Sequence, residues 1–360
     1  MLDPEYILKI SEGAEEIAGE LSSALLSQVI KRLLIRMKSE DEIIFSSADK
    51  YALKTLQDAG ILLKDITKII AKYTNKERSE IRRAYEDAGI KAVKNDNDLY
   101  RLAGISPTVL KQSPHLIRLL QRNYEATMGE WDNYTRTTAE VYQQSFIQAC
   151  DSVYLQVATL RAVRTGVNQA CAQITGFTVH DHGIYQFLTS AHYGARPTHA
   201  VWQGKVFWVD WDELRRRTGI NYGKAIPVPD EIKAKYDEFC ASTDIGSVTG
   251  LCGANCRHSY SPFIEGLDYS PFPPIDAKEN AKDYELSQKQ RALERAIRKQ
   301  KKTLNAWETA HQYAPDEKTS EEWKKEHAKQ VVKLQKLNKG YREFCQKNGL
   351  KPQEFRLFVG

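Results

Sequence analysis

The chain has 360 residues, of which 41% are hydrophobic and 28% are charged, values typical of a globular protein with about two domains. A membrane-spanning protein is excluded because no run approaches the roughly 18 uninterrupted apolar residues that cross a bilayer. The start, MLDPEYILKISEGAEE, is acidic, whereas a signal peptide begins basic and then turns apolar. We therefore expect synthesis in a cytosol-like compartment with the six scattered cysteines reduced.

The charge is uneven along the chain. The net charge is +5, and residues 277–360 hold 20 Lys and Arg against 12 Asp and Glu, so the remainder is slightly acidic. The basic character belongs to the C-terminal tail.

The first hundred residues read as helical. An apolar stripe at every fourth position predicts one long amphipathic helix over residues 5–37. Shorter helices are expected after Ser46–Asp49, Asp65 and Asn75, with C-terminal caps at Gly60 and Gly89. Residues 113–172 continue the helical pattern, interrupted near Met128–Ala139 by a turn or by a new helix starting near Arg136.

Short β-branched and aromatic runs begin after Gly176. FTVHDHG and GKVFWVDWD are bounded by glycine and followed by proline clusters, which predicts a small α+β unit. Beyond Pro274 the chain is helical and charged, with a break at Ala314–Asp316 that predicts two antiparallel helices or a long exposed pair. The predicted fold is mainly α with a small α+β domain. Its four regions are 1–110 (helical), 111–174 (helical), 175–276 (α+β) and 277–360 (basic helical tail).

The stretch GLCGANCRHSYSPF concentrates side chains that bind metals. Cys252, Cys256 and His258 could hold zinc together with His199 or His192. The spacing is not a standard zinc pattern, so a buried cysteine hydrogen-bonded to a histidine in a tight loop is the other interpretation. A nucleophilic Cys256 activated by Arg257 and His258 is disfavoured, since side chains adjacent in sequence rarely face one another.

Two further features could serve as sites. VHDHG would place His180 and His182 on one face of a strand, an arrangement that favours a polar strand end over a metal site. One predicted tail helix carries cations that could contact nucleic acid through charge alone, although a solvated face is the alternative. These cations are Arg291, Arg295, Arg298, Lys299, Lys301 and Lys302.

Several stretches together resemble one family, the phage minor capsid protein 2 family, which is related to the Mu F-type head morphogenesis proteins. The stretches are TMGEWDNYTRTTA, RAVRTGVNQ, SAHYGARPTHAVWQGKVF and GLCGANCRHSYSPFIEG, in that order, followed by a QRxLERxIR tail. The segment between the first two is shorter than is usual for the family. The family pattern falls on His192, Gly194, Ala195, Arg196, Pro197, His199, Ala200, Trp202, Gln203 and Gly204, and on Asn255, Cys256, Arg257, His258, Pro262 and Phe263.

If the two blocks of family residues, His192–Gly204 and Asn255–Phe263, are the shared signature, they should lie close together in the fold. We expect a structural clasp in which prolines fix turns, Trp202 and Phe263 fill a small core, and arginines bond backbone carbonyls or acids. Zinc or hydrogen bonds would close the clasp, with His192, His199, Cys256 and His258 as the metal ligands in the first case. The clasp comprises His192, Arg196, His199, Trp202, Gln203, Asn255, Cys256, Arg257 and His258.

The resemblance implies a non-enzymatic structural protein of the virion. It would be attached to the portal inside the phage head, after assembly in the host cytoplasm, and would assist head morphogenesis and DNA packaging or ejection. Its partners would be the portal, other head proteins and packaged double-stranded DNA, without a membrane. The alternatives are a zinc-dependent hydrolase or toxin-like enzyme using the His/Cys cluster, and a DNA-binding protein acting through its basic tail.

Overall fold

The computed structural model describes residues 1–37, 61–144, 154–223, 238–267, 272 and 274–359. Over these residues the chain is mainly helical with one small sheet, as the sequence predicts. The helices are α1 (Pro4–Lys9), α2 (Glu12–Met37), α3 (Ile61–Leu102), α4 (Pro114–Gln144), α5 (Tyr154–Asp181), α6 (Pro197–Ala200), α7 (Trp211–Thr218), α8 (Glu238–Thr243), α9 (Ala277–Gln312) and α10 (Glu317–Lys347). The strands are β1 (Gln186–Thr189), β2 (Val206–Trp208) and β3 (Tyr260–Pro262), and short 3₁₀ turns lie at Leu110–Gln112 and Glu354–Leu357.

The chain divides into two compact units. The first, here called the sheet unit, contains Met1–Ser11, Ile81–Gly129 and Arg161–Glu285. The second, the tail unit, contains Glu12–Glu80, Glu130–Leu160 and Leu286–Gly360. Each unit is assembled from three separate stretches. The four consecutive regions proposed from the sequence remain a prediction.

The predicted helix over residues 5–37 is two helices. Asp3 caps α1 by accepting hydrogen bonds from the backbone N–H groups of Glu5 and Tyr6, at 2.8 and 3.1 Å. In the sheet unit, Arg164 donates to the carbonyl of Leu8 at 2.8 Å and to the hydroxyl of Ser11 at 3.1 Å. These bonds satisfy the end of α1, which explains why the chain leaves the helix before α2 begins.

The separate helices predicted from Asp65 and Asn75 are wrong, because α3 runs unbroken from Ile61 to Leu102. Gly89 lies inside α3, where a Cβ would come within 2.8 Å of a methyl carbon of Leu120. The glycine therefore allows α4 to approach closely and does not end a helix. The expected start at Ser46–Asp49 and the expected cap at Gly60 lie outside the described residues.

The break predicted within Met128–Ala139 is also wrong, since this stretch lies inside α4. The Thr135 hydroxyl donates to the carbonyl of Trp131 at 3.1 Å, and the Thr137 hydroxyl donates to that of Asn133 at 3.0 Å. These bonds back to the preceding turn let poor helix formers stay helical. Trp131 is 1% exposed, so its burial in the tail unit further stabilises this segment.

The sheet has the antiparallel order β2-β1-β3. Phe187 on β1 stands opposite Phe207 on β2 and Pro262 on β3. Pro262 is thus part of an edge strand, where its missing N–H is tolerated, and does not fix a turn as expected. Phe187 is fully buried and contacts the rings of Trp211 and Tyr260, so the centre of the sheet unit core lies on β1.

The strand predicted in GKVFWVDWD is β2, whereas the one predicted in FTVHDHG is the last turn of α5. Burial overrides the β-branched pattern there, because Val179 on the helix face is completely buried. His180 packs edge-on against Trp211, and His182 packs against Tyr100, with ring centroids 5.0 and 4.5 Å apart. Both histidines make aromatic contacts and neither lies on a strand.

The two tail helices pack antiparallel within the tail unit. Gln300 on α9 donates to the side-chain oxygen of Gln330 on α10 at 2.9 Å, and Gln290 contacts the Tyr341 hydroxyl at 3.3 Å. Asp316 caps α10 by accepting from the backbone N–H of Thr319 at 2.8 Å. Among the helices that the structure describes, each is too short or too polar to cross a membrane.

Candidate functional site

The two sequence blocks meet in the sheet unit. His199 is carried by the one-turn helix α6, which Pro197 begins, and His258 lies just before β3. The Cys256 thiol sulphur lies 3.8 Å from Nδ1 of His199 and 3.8 Å from Nδ1 of His258. The two Nδ1 atoms are 3.3 Å apart. These three side chains, with 1–2% of their surface exposed, form the buried centre of the clasp.

The outer nitrogens of both central histidines have polar neighbours. Nε2 of His199 lies 2.8 Å from the carbonyl oxygen of Thr249, and Nε2 of His258 lies 3.1 Å from Oε1 of Gln203. That same Oε1 accepts a hydrogen bond from the backbone N–H of His192 at 3.1 Å. The Trp202 ring packs against both imidazoles, with centroids 4.7 and 4.8 Å away. The rings are therefore held in place from several sides.

His192 and the arginines surround this centre. His192 stacks on His258 with ring centroids 4.3 Å apart, and its Nδ1 lies 3.1 Å from the Arg257 guanidinium. Arg196 donates to the carbonyl of Ala254 at 2.9 Å, the kind of bond predicted for it. His192 thus flanks the cluster and is not part of the triangle of donor atoms. Asn255 is exposed, so its contribution is to the loop backbone.

The loop that presents Cys256 is unusually tight. Cys252 and Asn255 have positive φ values of 59° and 57°, a conformation uncommon for residues other than glycine. A Cβ on Gly250 would lie 1.9 Å from the carbonyl oxygen of Asp244, and one on Gly253 would lie 2.4 Å from that of Val248. Only glycine fits at these two positions, because a side chain there would clash with backbone carbonyl oxygens.

Asn168 is a site residue that the sequence reasoning did not single out. Its amide donates to the carbonyl of His258 at 2.9 Å and to that of Cys256 at 3.4 Å. The signal was present, because Asn168 lies in the RAVRTGVNQ stretch on α5 and this stretch carried part of the family resemblance. Helix α5 therefore fixes the backbone on both sides of Arg257.

Burial decides the protonation of the central side chains. It lowers the pKa of His258 well below its ordinary value, an effect strengthened by His192, His199 and the nearby arginines. Burial also lowers the pKa of His199, and it raises the pKa of the Cys256 thiol. Without a bound metal ion, this burial favours neutral imidazoles and a protonated thiol. A solvent-accessible Cys256 thiolate nucleophile does not fit this arrangement.

The chain matches the model of the family described as phage minor capsid protein 2 over residues 2–160 and 152–344. These segments cover nearly the whole chain. The chain belongs to the phage minor capsid protein 2 family. It is accordingly a structural protein of the phage head, located in the virion and associated with other head proteins. The two matched segments overlap at residues 152–160.

Comparisons with curated proteins and with solved structures gave no match. The geometry of the clasp in this minor capsid protein is therefore interpreted from its own residues.

The basic residues predicted to contact nucleic acid do not form one exposed face of this minor capsid protein. In the tail unit, Arg298 is buried and donates to the carbonyl of Arg356 at 2.5 Å, and Lys302 is buried and donates to Ser22 at 2.9 Å. Lys301 is partly buried and donates to the carbonyl of Leu357 at 2.6 Å. The prediction is wrong for Arg298 and Lys302, because α9 turns these cations toward the core. Arg291 is partly buried, while Arg295 and Lys299 are exposed.

Proposed function

We propose that this minor capsid protein is attached to the portal on the inner side of the head and assists head assembly and DNA packaging or ejection. The observation that carries the proposal is the family match, which spans residues 2–160 and 152–344. We assign the clasp a structural and not a catalytic role. Its three central side chains are 1–2% exposed, so a substrate could not reach them without unfolding the loop.

A groove in the sheet unit supplies the surface for the portal or a neighbouring head protein. It is about 320 Å³ in volume and lies between α3 and α4, where Ile90 and Ile117 are 52% and 46% exposed. Arg82 and Lys111 line the same groove, giving it a polar rim around apolar side chains. Exposed apolar surface rimmed by polar residues is typical of protein–protein contacts.

Binding of the purified chain to purified portal and to DNA, measured separately, tests the proposal. We expect portal binding that Ile90→Glu and Ile117→Glu weaken by more than about 10-fold, because charge in an apolar contact is costly. Val332→Glu is the matched control, since Val332 is 49% exposed on α10, outside the groove. Absence of portal binding by the wild-type chain, or equal loss in all three variants, would contradict the proposal.

A second proposed contact is with packaged DNA through α10. Residues 324–347 hold eight Lys and Arg against two Asp and Glu. Lys325, Lys329, Lys333 and Lys336 are exposed and recur every three or four residues, so they share one face of the helix. This face replaces the one predicted on α9, and a basic stripe of this kind suits phosphate contacts.

The salt dependence of DNA binding tests this contact. A triple variant, Lys325→Gln, Lys333→Gln and Lys336→Gln, should weaken binding and reduce the slope of log affinity against log salt by about one for each phosphate that is no longer neutralised. Lys278→Gln, an exposed position at the start of α9, is the control and should leave the slope unchanged. An unchanged slope in the triple variant would rule out this face.

A further inference from the structure

The three donor atoms at the centre of the clasp are spaced as zinc ligands are. Zinc with bonds of about 2.05 Å to nitrogen and about 2.3 Å to sulphur in tetrahedral geometry separates two nitrogens by about 3.4 Å and nitrogen from sulphur by about 3.6 Å. The separations in this chain are 3.3 Å between the two Nδ1 atoms and 3.8 Å from each Nδ1 to the Cys256 sulphur. We propose that His199, Cys256 and His258 bind one zinc ion.

The surrounding hydrogen bonds assign the tautomers of both histidines. A carbonyl oxygen only accepts, so the 2.8 Å contact with Thr249 places a proton on Nε2 of His199. Oε1 of Gln203 already accepts the backbone N–H of His192, which identifies it as the amide oxygen. Its 3.1 Å contact with His258 therefore places a proton on Nε2 of that ring as well. In both neutral rings, Nδ1 is left with its lone pair.

Two lone pairs 3.3 Å apart are an unfavourable pairing in a buried site. A hydrogen bond between these Nδ1 atoms would need one of them protonated, which would charge a ring or break its outer hydrogen bond. A zinc ion between them accepts both lone pairs and removes the conflict. Histidines that bind metals commonly donate their other ring N–H to a carbonyl or carboxylate, as these two do to carbonyl oxygens.

Cys256 has the matching features of a thiolate ligand. Its sulphur accepts the backbone N–H of His258 at 3.4 Å, a bond that stabilises negative charge on sulphur. Cys252, the other cysteine that the sequence offered as a ligand, is also buried, but its thiol contacts the carbonyl oxygen of His258 at 3.8 Å and it lies outside the group of three donor atoms. The mixed nitrogen and sulphur donors favour zinc over calcium or magnesium, which prefer oxygen ligands.

The burial of the site favours a structural over a catalytic zinc ion. A catalytic zinc keeps one coordination position open to substrate, whereas these ligands are 1–2% exposed. The ion would join α6 to the tight loop before β3, linking segments more than fifty residues apart in sequence. The inference does not depend on attachment to the portal.

The metal content of the tag-free chain of residues 1–360 tests the proposal. After dialysis with zinc and then against metal-free buffer, we expect about one zinc ion per chain by elemental analysis. Cys256→Ser and His258→Gln should each weaken zinc binding by more than about 10-fold in competition with a chelating dye, since loss of even a supporting residue costs that much. Cys240→Ser is the matched control, because Cys240 is fully buried in the same core. It should retain the wild-type affinity.

Cobalt loading of the wild-type chain keeps the proposal testable if the ligand variants fail to fold. Tetrahedral cobalt with a thiolate ligand should give intense visible bands and a sulphur-to-cobalt charge-transfer band in the near ultraviolet. Zinc should displace both. A wild-type chain that keeps no zinc and shows no charge-transfer band would overturn the proposal, and so would a folded Cys256→Ser variant with wild-type affinity.

Discussion

Asn168 shows how one side chain can hold the clasp in place. Its amide is buried and donates to two carbonyls, those of Cys256 and His258. Asn168→Ala should lower the free energy of unfolding by about 1–3 kcal/mol, because both acceptors would stay buried without this donor. Urea denaturation measures the change.

The control for this variant is Gln169→Ala, the next residue on α5, which is exposed. Its effect should stay within about 0.5 kcal/mol. Equal effects of the two substitutions would contradict the role assigned to Asn168.

Glu77 in the tail unit should make stability depend on pH. Both of its carboxylate oxygens are buried without a hydrogen-bond partner, and burial, followed by repulsion from Glu80, raises its pKa well above 4.5. A carboxyl group whose pKa is higher in the folded than in the unfolded state contributes its full stabilisation below the unfolded pKa. This contribution is lost as pH rises through the folded pKa. The contribution of Glu77 to the free energy of unfolding of the wild-type chain should therefore fall as pH rises above 4.5.

Glu77→Gln should remove this pH-dependent contribution and stabilise the chain at neutral pH. The measurement is urea denaturation at about pH 5 and about pH 8, comparing the variant with wild type at each. The gain should be larger at the higher pH. Glu322→Gln, at an exposed position on α10, serves as the control. A gain that is equal at both pH values would argue against a neutral, buried Glu77.

Two helical glycines in the sheet unit should respond in opposite ways to alanine. A Cβ on Gly129 in α4 meets nothing within 4 Å, so Gly129→Ala should stabilise the chain by up to about 1 kcal/mol through helix propensity. A Cβ on Gly166 in α5 would lie 2.3 Å from the Tyr85 hydroxyl and 2.5 Å from that of Thr127. Gly166→Ala should destabilise, because it disrupts the 2.7 Å bond between these hydroxyls. Thermal unfolding that shifts both variants in the same direction would contradict this packing.

The sequence predicted which segments are helical better than where the helices end. Apolar periodicity indicated α2, the charged helical pattern with its break at Ala314–Asp316 indicated α9 and α10, and the glycine-bounded aromatic run indicated β2. Local signals at Asp65, Asn75 and Gly89 failed because tertiary packing along α3 outweighs the small preferences of single residues. The same cause turned the β-branched end of α5 into helix, since Val179 is buried on the helix face.

For the candidate site, the sequence indicated which residues come together but not how they are arranged. The family resemblance predicted that the block around His199 would meet the block around Cys256, and these side chains do lie together. No spacing rule could reveal that Thr249 and Gln203 fix the histidine tautomers, because those contacts depend on the path of the loop. The burial of Arg298 and Lys302 could not be predicted for a similar reason, since the charge pattern of a helix does not show which of its faces packs against the core.

At the scale of the whole molecule, this chain is a head protein, for which we propose a structural clasp and attachment to the portal. The most direct test is cross-linking mass spectrometry of purified phage particles. We expect this chain in fewer copies than the major capsid protein, with cross-links from residues near the α3–α4 groove to the portal. Absence of the chain from mature particles and assembling heads, or cross-links that exclude the portal, would contradict it.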